Sequence, residues 1–402
     1  MKHIYAMGLT LESKNGITRV ISDLSLYFKD KLTIFTEEYK LDDTFEISSS
    51  TKIWEIPHST NILLNLFRVN RLLHYIKIAR IIRKDGFQDI VINTHSSTFI
   101  IVASAIKLLL FNKKVRVSSI IYDWGVVKNE LIPQENQGVV KKLKQIPKTL
   151  RFFSIKLLIK LGVVDELIVW SDEIKQFLCN LFDTNDVVVI RVGISQSFIK
   201  LSKGNKISPS EKLKKSINKE DEIKLFFQGI PIPGRRIEDI IMALALLIEN
   251  GKTDISLYLG GSTLFDVKYV NKLQLMISDL HLNNKVHFLG GLSEEELMYM
   301  YNECDIVLFP CYQIWGLAPL EAMAFKKPVI VSTDCGVSEV LNENVSIIVP
   351  PKNPEAIKDA ILKLIDNKAL REELGSNARD YVLKNLTFSN TGDALKKLWE
   401  VT

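Results

Sequence analysis

The pattern that most limits what this chain can fold into is an alternation of short apolar runs with amphipathic helical stretches, broken once and then resumed. Ile4–Met7, Leu32–Phe35, Asp89–Asn93, Val115–Tyr122, Leu167–Trp170 and Val187–Val192 are β-branched-rich runs of strand length, while Ile17–Phe28 and Phe99–Phe111 have helical spacing. Strands joined through helices pair in parallel, because each crossover carries the chain back to the same end of the sheet. Residues 202–222 break the rhythm: they are mostly polar and charged, with one proline, and predict a linker. Beyond it, strands are expected at Ile223–Phe227, Ile255–Leu259, Lys285–Leu289, Asp305–Phe309, Val329–Ser332 and Val345–Val349. Helices are expected at Ile237–Asn250 and Val267–Leu280, after the capping-box sequence Ser293–Glu296, and near Gly316. The expectation is an α/β chain of two doubly wound domains facing across a cleft. Their bounds are 1–201 and 223–385, with 202–222 as linker and 386–402 as a closing helix that packs back on the first domain.

Composition removes several classes. With 402 residues, 47% hydrophobic and 25% charged, the chain is neither disordered nor of low complexity. Its four cysteines form no C-x-x-C pair and its six histidines lack metal-ligand spacing, which argues against a disulfide scaffold or structural zinc. Phe99–Phe111, the longest apolar stretch, is interrupted by Ser104 and Lys107 and falls short of the roughly 20 residues that span a bilayer. The N-terminal Met1–Gly8 is too short and mixed for a secretory signal, so a soluble, cytoplasmic protein is expected.

Charge is unevenly placed. Residues 1–200 hold 28 Lys and Arg against 20 Asp and Glu, whereas the remainder holds 24 against 27. No acid occurs from 136 to 164, a run that includes Lys141, Lys142, Lys144, Lys148, Arg151, Lys156 and Lys160. A second basic helical run covers Ile62–Lys84. Two readings are open for such segments: peripheral contact with an anionic membrane, with Phe152, Phe153, Ile155 and Leu158 as apolar anchors, or a solvated basic face. The basic runs match no nucleic-acid module, so nucleic acid is not expected as a partner.

Chemistry concentrates in Phe309–Leu341. A strand ends at Phe309-Pro310 and a helix begins around Gly316–Pro319 without a strong side-chain cap, leaving first-turn N–H groups for an anion. Glu321, one turn in on an otherwise apolar helix, can accept from two adjacent hydroxyls such as those of a ribose. Equally, it can be a helix glutamate with no ligand. Gly260-Gly261 after a strand either lets backbone approach phosphate or makes a tight turn.

Lys285–Leu341 resembles the carboxyl-terminal signature of retaining glycosyltransferases of family 4. The residues that carry it are His287–Leu292, Glu295-Glu296-Leu297, Asp305-Ile306-Val307, Trp315-Gly316-Leu317, Leu320–Ala324, Pro328-Val329-Ile330 and Gly336–Val340. Weaker likenesses extend to Asn15-Gly16, Asp89–His95, Val169-Trp170-Ser171, Val192-Gly193-Ile194 and Phe227-Gln228-Gly229. Departures are Gln313 for the first glutamate of E-x7-E, Ile230 for an arginine, Arg235 for a lysine, Arg236 and Lys326 for glycines, and Tyr122 for a histidine.

The resemblance implies a GT-B fold of two Rossmann-like domains, with a nucleotide-diphospho-sugar donor held by the second and a glycan or lipid-linked acceptor by the first. It implies catalytic roles for Gln313, Arg235, Asp123 and Tyr122. Donor contacts would come from Gly16, Arg235, Arg236, Gly261, Leu289, Leu292, Trp315, Gly316, Leu317 and Glu321. No D-x-D occurs, so neither a metal nor a cofactor beyond the donor is expected. His95 reads either as a strand-end packing residue or as part of the cleft lining. Two rivals to a transferase remain: an isomerase or phosphorylase on a similar fold, which the Leu320–Ala324 helix fits poorly, and a non-catalytic sugar-nucleotide-binding subunit, motivated by Gln313, Ile230 and Tyr122.

Overall fold

The computed structural model describes residues 2–12, 16–40, 46–55, 69–94, 97–121, 139–202, 210–217 and 222–401. It divides into two units, Met1–Arg191 with Ser389–Thr402, and Val192–Phe388.

In the first unit the strands are β1 (His3–Glu12), β2 (Leu32–Lys40), β3 (Lys52–Glu55), β4 (Asp89–Thr94), β5 (Lys114–Ile120), β6 (Glu166–Val169) and β7 (Val187–Val189). They form one sheet in the order β3-β2-β1-β4-β5-β6-β7, parallel throughout. Its helices are α1 (Gly16–Phe28), α2 (Val69–Lys84), α3 (Ser97–Leu109), α4 (Val139–Lys160) and α5 (Asp172–Phe182). Ile90, Val91 and Ile92 of β4 are all fully buried, as a strand covered by helices on both faces requires. The closing helix from Ser389 onward belongs to this unit. Its Trp399 is fully buried, lies 5.8 Å from the Phe28 ring, and donates its indole N–H to Ser118 Oγ at 3.1 Å.

The second unit holds α6 (Gln196–Leu201), α7 (Glu211–Ile217), β8 (Ile223–Gln228), α8 (Ile237–Glu249), β9 (Ile255–Gly260), α9 (Val267–Asp279) and β10 (Val286–Gly290). There follow α10 (Glu294–Glu303), β11 (Ile306–Phe309), α11 (Leu317–Ala324), β12 (Val329–Ser332), β13 (Ile347–Val349), α12 (Pro354–Asp366) and α13 (Lys368–Asn385), and α14 (Phe388–Trp399) leads back to the first unit. The sheet order is β10-β9-β8-β11-β12-β13, again all parallel. Ser293 and Glu296 close the capping box that starts α10.

Both sheets therefore reverse strand order once, between β1 and β4 and between β8 and β11. In open parallel sheets a ligand binds beyond the carboxyl ends of the strands at such a reversal.

Two expectations change. The 202–222 segment is no bare linker: residues 211–217 form α7, with Leu213 and Ile217 buried one turn apart, and the units divide at Arg191/Val192 instead. Those two side chains anchor the helix, while Glu211 is exposed and Lys214 half-buried. Among the expected apolar anchors on α4, Ile155 is fully buried in the first unit, and Phe152 is half-buried with its ring 5.6 Å from Phe182.

Candidate functional site

The loops after β8 and β11 bring the second unit's candidates together. After β8 the chain runs through Gly229 into a 3-10 turn, Pro233–Arg235, and then Arg236, whose φ of 50° lies in the left-handed region. Arg236 occupies the cap of α8 with that backbone, which explains why the resemblance carries a glycine there. The two guanidinium groups have different partners. Arg235 donates from Nη1 to the Gln313 side-chain oxygen and lies 5.8 Å from the centroid of the Phe309 ring. Arg236 donates to Asp334 Oδ2, a carboxylate. Arg236's charge is thus balanced, whereas Arg235 is held by a neutral amide and has no carboxylate partner among the described residues. Buried nitrogens of both, Nε of Arg235 and Nη1 of Arg236, lack a hydrogen-bond partner.

Gln313 is fixed through its backbone. Its carbonyl accepts from Gly336 N–H at 2.8 Å and its N–H donates to Asp334 O at 3.3 Å. Gly316 caps α11 with no side-chain hydrogen bond. A Cβ there would meet Cys335 Sγ at 3.0 Å and Phe309 at 3.3 Å, so a larger residue fits only if these side chains shift by a few tenths of an ångström. Burial pushes the Cys335 thiol up to about 12, making it a neutral packing group at this point. Leu317 and Ala318 stand in the first turn of α11, half-buried, with the helix dipole's positive end facing the loop.

Glu321 is 6% exposed within α11. Tyr301 on α10 donates its hydroxyl toward Glu321 Oε2 at 3.3 Å and toward Ala318 O at 3.2 Å. Trp315 is 2% exposed and donates its indole N–H to Val192 O at 2.8 Å, so its side chain secures the loop from within the unit and leaves backbone as what this position offers a ligand. Gly261 has φ of 135°, and its N–H donates to Gly290 O at 2.8 Å. That amide is engaged with a neighbouring strand end, and a Cβ would sit 2.1 Å from Gly229 O. Gly261 therefore makes a tight turn whose amide is already bonded within the protein. Leu289 is half-buried at the end of β10, and Leu292 lies where a Cβ on Gly260 would touch it at 3.1 Å.

In the first unit Gly16 opens α1 at the end of β1, beside the strand-order reversal. Tyr122, Asp123 and His95 lie outside the described residues. Asp334 and Tyr301 were not singled out by sequence. Tyr301 falls four residues before Asp305 within the resembling stretch, but Asp334 is a lone acid on a loop with no local signal. Among the described residues no three His, Cys, Asp or Glu side chains are grouped to hold a metal ion, and no helix is long and apolar enough to cross a membrane.

Residues 209–381 match the family model described as glycosyl transferases group 1. Over that stretch the second unit is similar to group 1 glycosyltransferases. The matched stretch contains every second-unit candidate-site residue described in this section, from Gly229 to Gly336. The chain is 28% identical over 280 residues to an uncharacterised glycosyltransferase of Methanocaldococcus jannaschii, covering 68% of each. It is 25% identical over 245 residues to the capsular polysaccharide biosynthesis glycosyltransferase CapM of Staphylococcus aureus, covering 58% of this chain and 62% of that one. The Anabaena protein HepE, solved with UDP and glucose, superimposes over 100% of both chains at a TM-score of 0.72 and 16% identity. The likeness fixes the fold as GT-B, with the matched stretch 209–381 in its carboxyl-terminal half.

Proposed function

We propose that this chain moves a sugar from a nucleoside-diphosphate sugar to a glycan or glycolipid acceptor, with retention at the anomeric carbon and without a metal ion. The observation that carries this reading is Arg235: a guanidinium held on a neutral amide at the strand-order reversal, beside the uncapped start of α11. As the glycosidic bond to the diphosphate breaks, negative charge grows on the leaving oxygens. Arg235 and the first-turn amides of α11 stabilise that charge without reorganising. The leaving phosphate takes the acceptor's proton as the acceptor attacks from the same face, so no enzyme nucleophile is needed. Gln313 orients donor-sugar hydroxyls and Glu321 accepts from the ribose hydroxyls. Tyr122 and Asp123 act on the acceptor side. The binding of UDP and glucose by HepE supports a nucleotide-sugar donor.

Metal independence is tested by titrating UDP- and GDP-sugars with and without chelator. Affinity is expected to be unchanged, and a loss of more than about tenfold, or about 1.4 kcal/mol, on chelation would count against the reading. Glu321→Ala is expected to weaken nucleotide binding by about 1.5–3 kcal/mol, the scale of hydrogen bonds to a charged group. Tyr301 retains Ala318 O as acceptor in the variant, so the fold should persist. Unchanged calorimetric affinity in a folded variant would remove the ribose role.

Gln313 favours a second reading, a non-catalytic nucleotide-sugar-binding homologue, because an amide cannot stabilise positive charge building on the sugar ring. Donor hydrolysis measured without acceptor separates the two: the transferase releases nucleoside diphosphate slowly and the binding protein releases none.

A further inference from the structure

Gln228 ends β8, the strand beside which the sheet order of the second unit reverses. It is half-buried, and its side-chain oxygen is sealed from solvent without a hydrogen-bond partner among the described residues. Gly260 stands opposite it in register on β9. A Cβ on Gly260 would collide with that oxygen, and would lie 3.1 Å from Leu292 Cδ1 and 3.3 Å from the Phe226 ring. The space that a side chain on Gly260 would fill therefore holds the Gln228 amide, with Leu292 as its apolar neighbour. A buried acceptor without a partner is costly, and native proteins keep few of them. At the carboxyl end of a parallel sheet, such an acceptor calls for a donor that arrives with the ligand.

The face on which Gln228 lies selects which part of the ligand it meets. Side chains alternate along a strand, so Gln228 shares a face with Phe226 and not with Phe227. Phe227 belongs to the arginine side: its ring stacks 5.9 Å from that of Phe309, over which Arg235 lies. Phe226 packs 5.6 Å from the ring of Tyr301, whose hydroxyl reaches Glu321. Gln228 thus stands on the side of the ribose-accepting carboxylate, away from the Arg235 guanidinium. Ionised phosphate oxygens only accept, so they have nothing to offer an amide oxygen. A nucleobase does: N3–H of uracil and N1–H of guanine are ring donors, each beside a carbonyl that the NH2 of the same amide can meet.

We propose that Gln228 recognises the base of the bound nucleotide, its Oε1 accepting from the base's ring N–H, with Gly260 giving the amide its room and Leu292 packing beside it. The inference rests on the nucleotide-sugar reading above and adds to it a side chain that reads the base.

Calorimetric titration of the full chain with UDP and N3-methyl-UDP, and with GDP and N1-methyl-GDP, tests it. Methylation removes the ring donor and leaves ribose and diphosphate as they were, so a site built around that donor should reject the methylated base. For whichever of UDP and GDP binds more tightly, wild type is expected to prefer the unmethylated ligand by at least about tenfold. In Gln228→Leu the two should bind within about twofold of each other. Gln228→Glu keeps an acceptor at the same reach and should retain most of the preference, which a merely structural role for Gln228 would not produce. The ratio is read within each folded protein, so a general loss of affinity in a variant does not enter it. An equal preference in wild type and Gln228→Leu, whether large or small, would overturn the proposal while leaving the donor reading intact. Wild type that binds neither UDP nor GDP would overturn both.

Discussion

Arg235→Ala is expected to lower turnover by about 10²–10³-fold, the usual loss when one preorganised donor to a developing anion is removed. Arg236→Gly should behave differently, although the two residues are adjacent. Arg235 rests on the neutral Gln313 amide, so its full charge is available to a diphosphate. Arg236 is paired with Asp334, and removing it strands a carboxylate beside the same loop. The loss in Arg236→Gly therefore comes largely from Asp334, and glycine suits the left-handed backbone at that position. The double variant Arg236→Gly/Asp334→Asn should recover to within about threefold of wild type, about 0.65 kcal/mol, whereas adding Asp334→Asn to Arg235→Ala should rescue nothing. The check is donor hydrolysis and transfer, as kcat/KM, in all five proteins. If the Arg236→Gly/Asp334→Asn protein is as impaired as Arg235→Ala, the division of roles between the two arginines is wrong.

The second unit's strands fall on the apolar runs because a strand covered on both faces reads as continuous hydrophobic sequence. All six residues of β9 are buried, and nothing polar interrupts them except Ser256. Edge and surface elements leave no such trace. Strand β3 is Lys-Ile-Trp-Glu with Trp54 42% exposed, and no periodicity marks it as a strand. Helix α7 hides two buried side chains among charges, which is why composition alone reads it as linker.

At the site, the uncapped start of α11 was legible because it is local: a strand end, a glycine and a proline within a few residues. The pairing of Arg235 with Gln313 joins positions 78 apart, and that of Arg236 with Asp334 joins positions 98 apart. Only the sheet order brings those loops together. The two departures at glycine positions show the same limit. Arg236 and Lys326 have φ of 50° and 59°, so the left-handed turn persists without the residue that normally signals it, at a cost of about 1–2 kcal/mol each. Sequence reports the lost glycine; only the backbone shows that the turn is retained.

Gly193→Ala is expected to destabilise the second unit by about 3–5 kcal/mol, from overpacking and from the hydrogen bonds it displaces. A Cβ at this position would lie 2.3 Å from the Thr387 carbonyl carbon and 2.4 Å from that of Leu386. Both are backbone atoms, so no side chain can turn aside. The contact is also a hydrogen-bonded one: Ile194 N–H donates to Leu386 O, and Phe388 N–H donates to Ile194 O, each at 2.8 Å. Separating the two segments breaks both bonds and moves Val192, whose carbonyl holds the Trp315 indole. Because Trp315 precedes Gly316, the disturbance reaches the start of α11, and UDP affinity should fall together with stability. Gly291→Ala is the control, since nothing lies within 4 Å of its Cβ position. Urea unfolding and UDP titration of both variants distinguish the outcomes. If Gly193→Ala unfolds within about 1 kcal/mol of wild type, the 192–194 segment slides freely on 386–388, and it cannot be what positions Trp315.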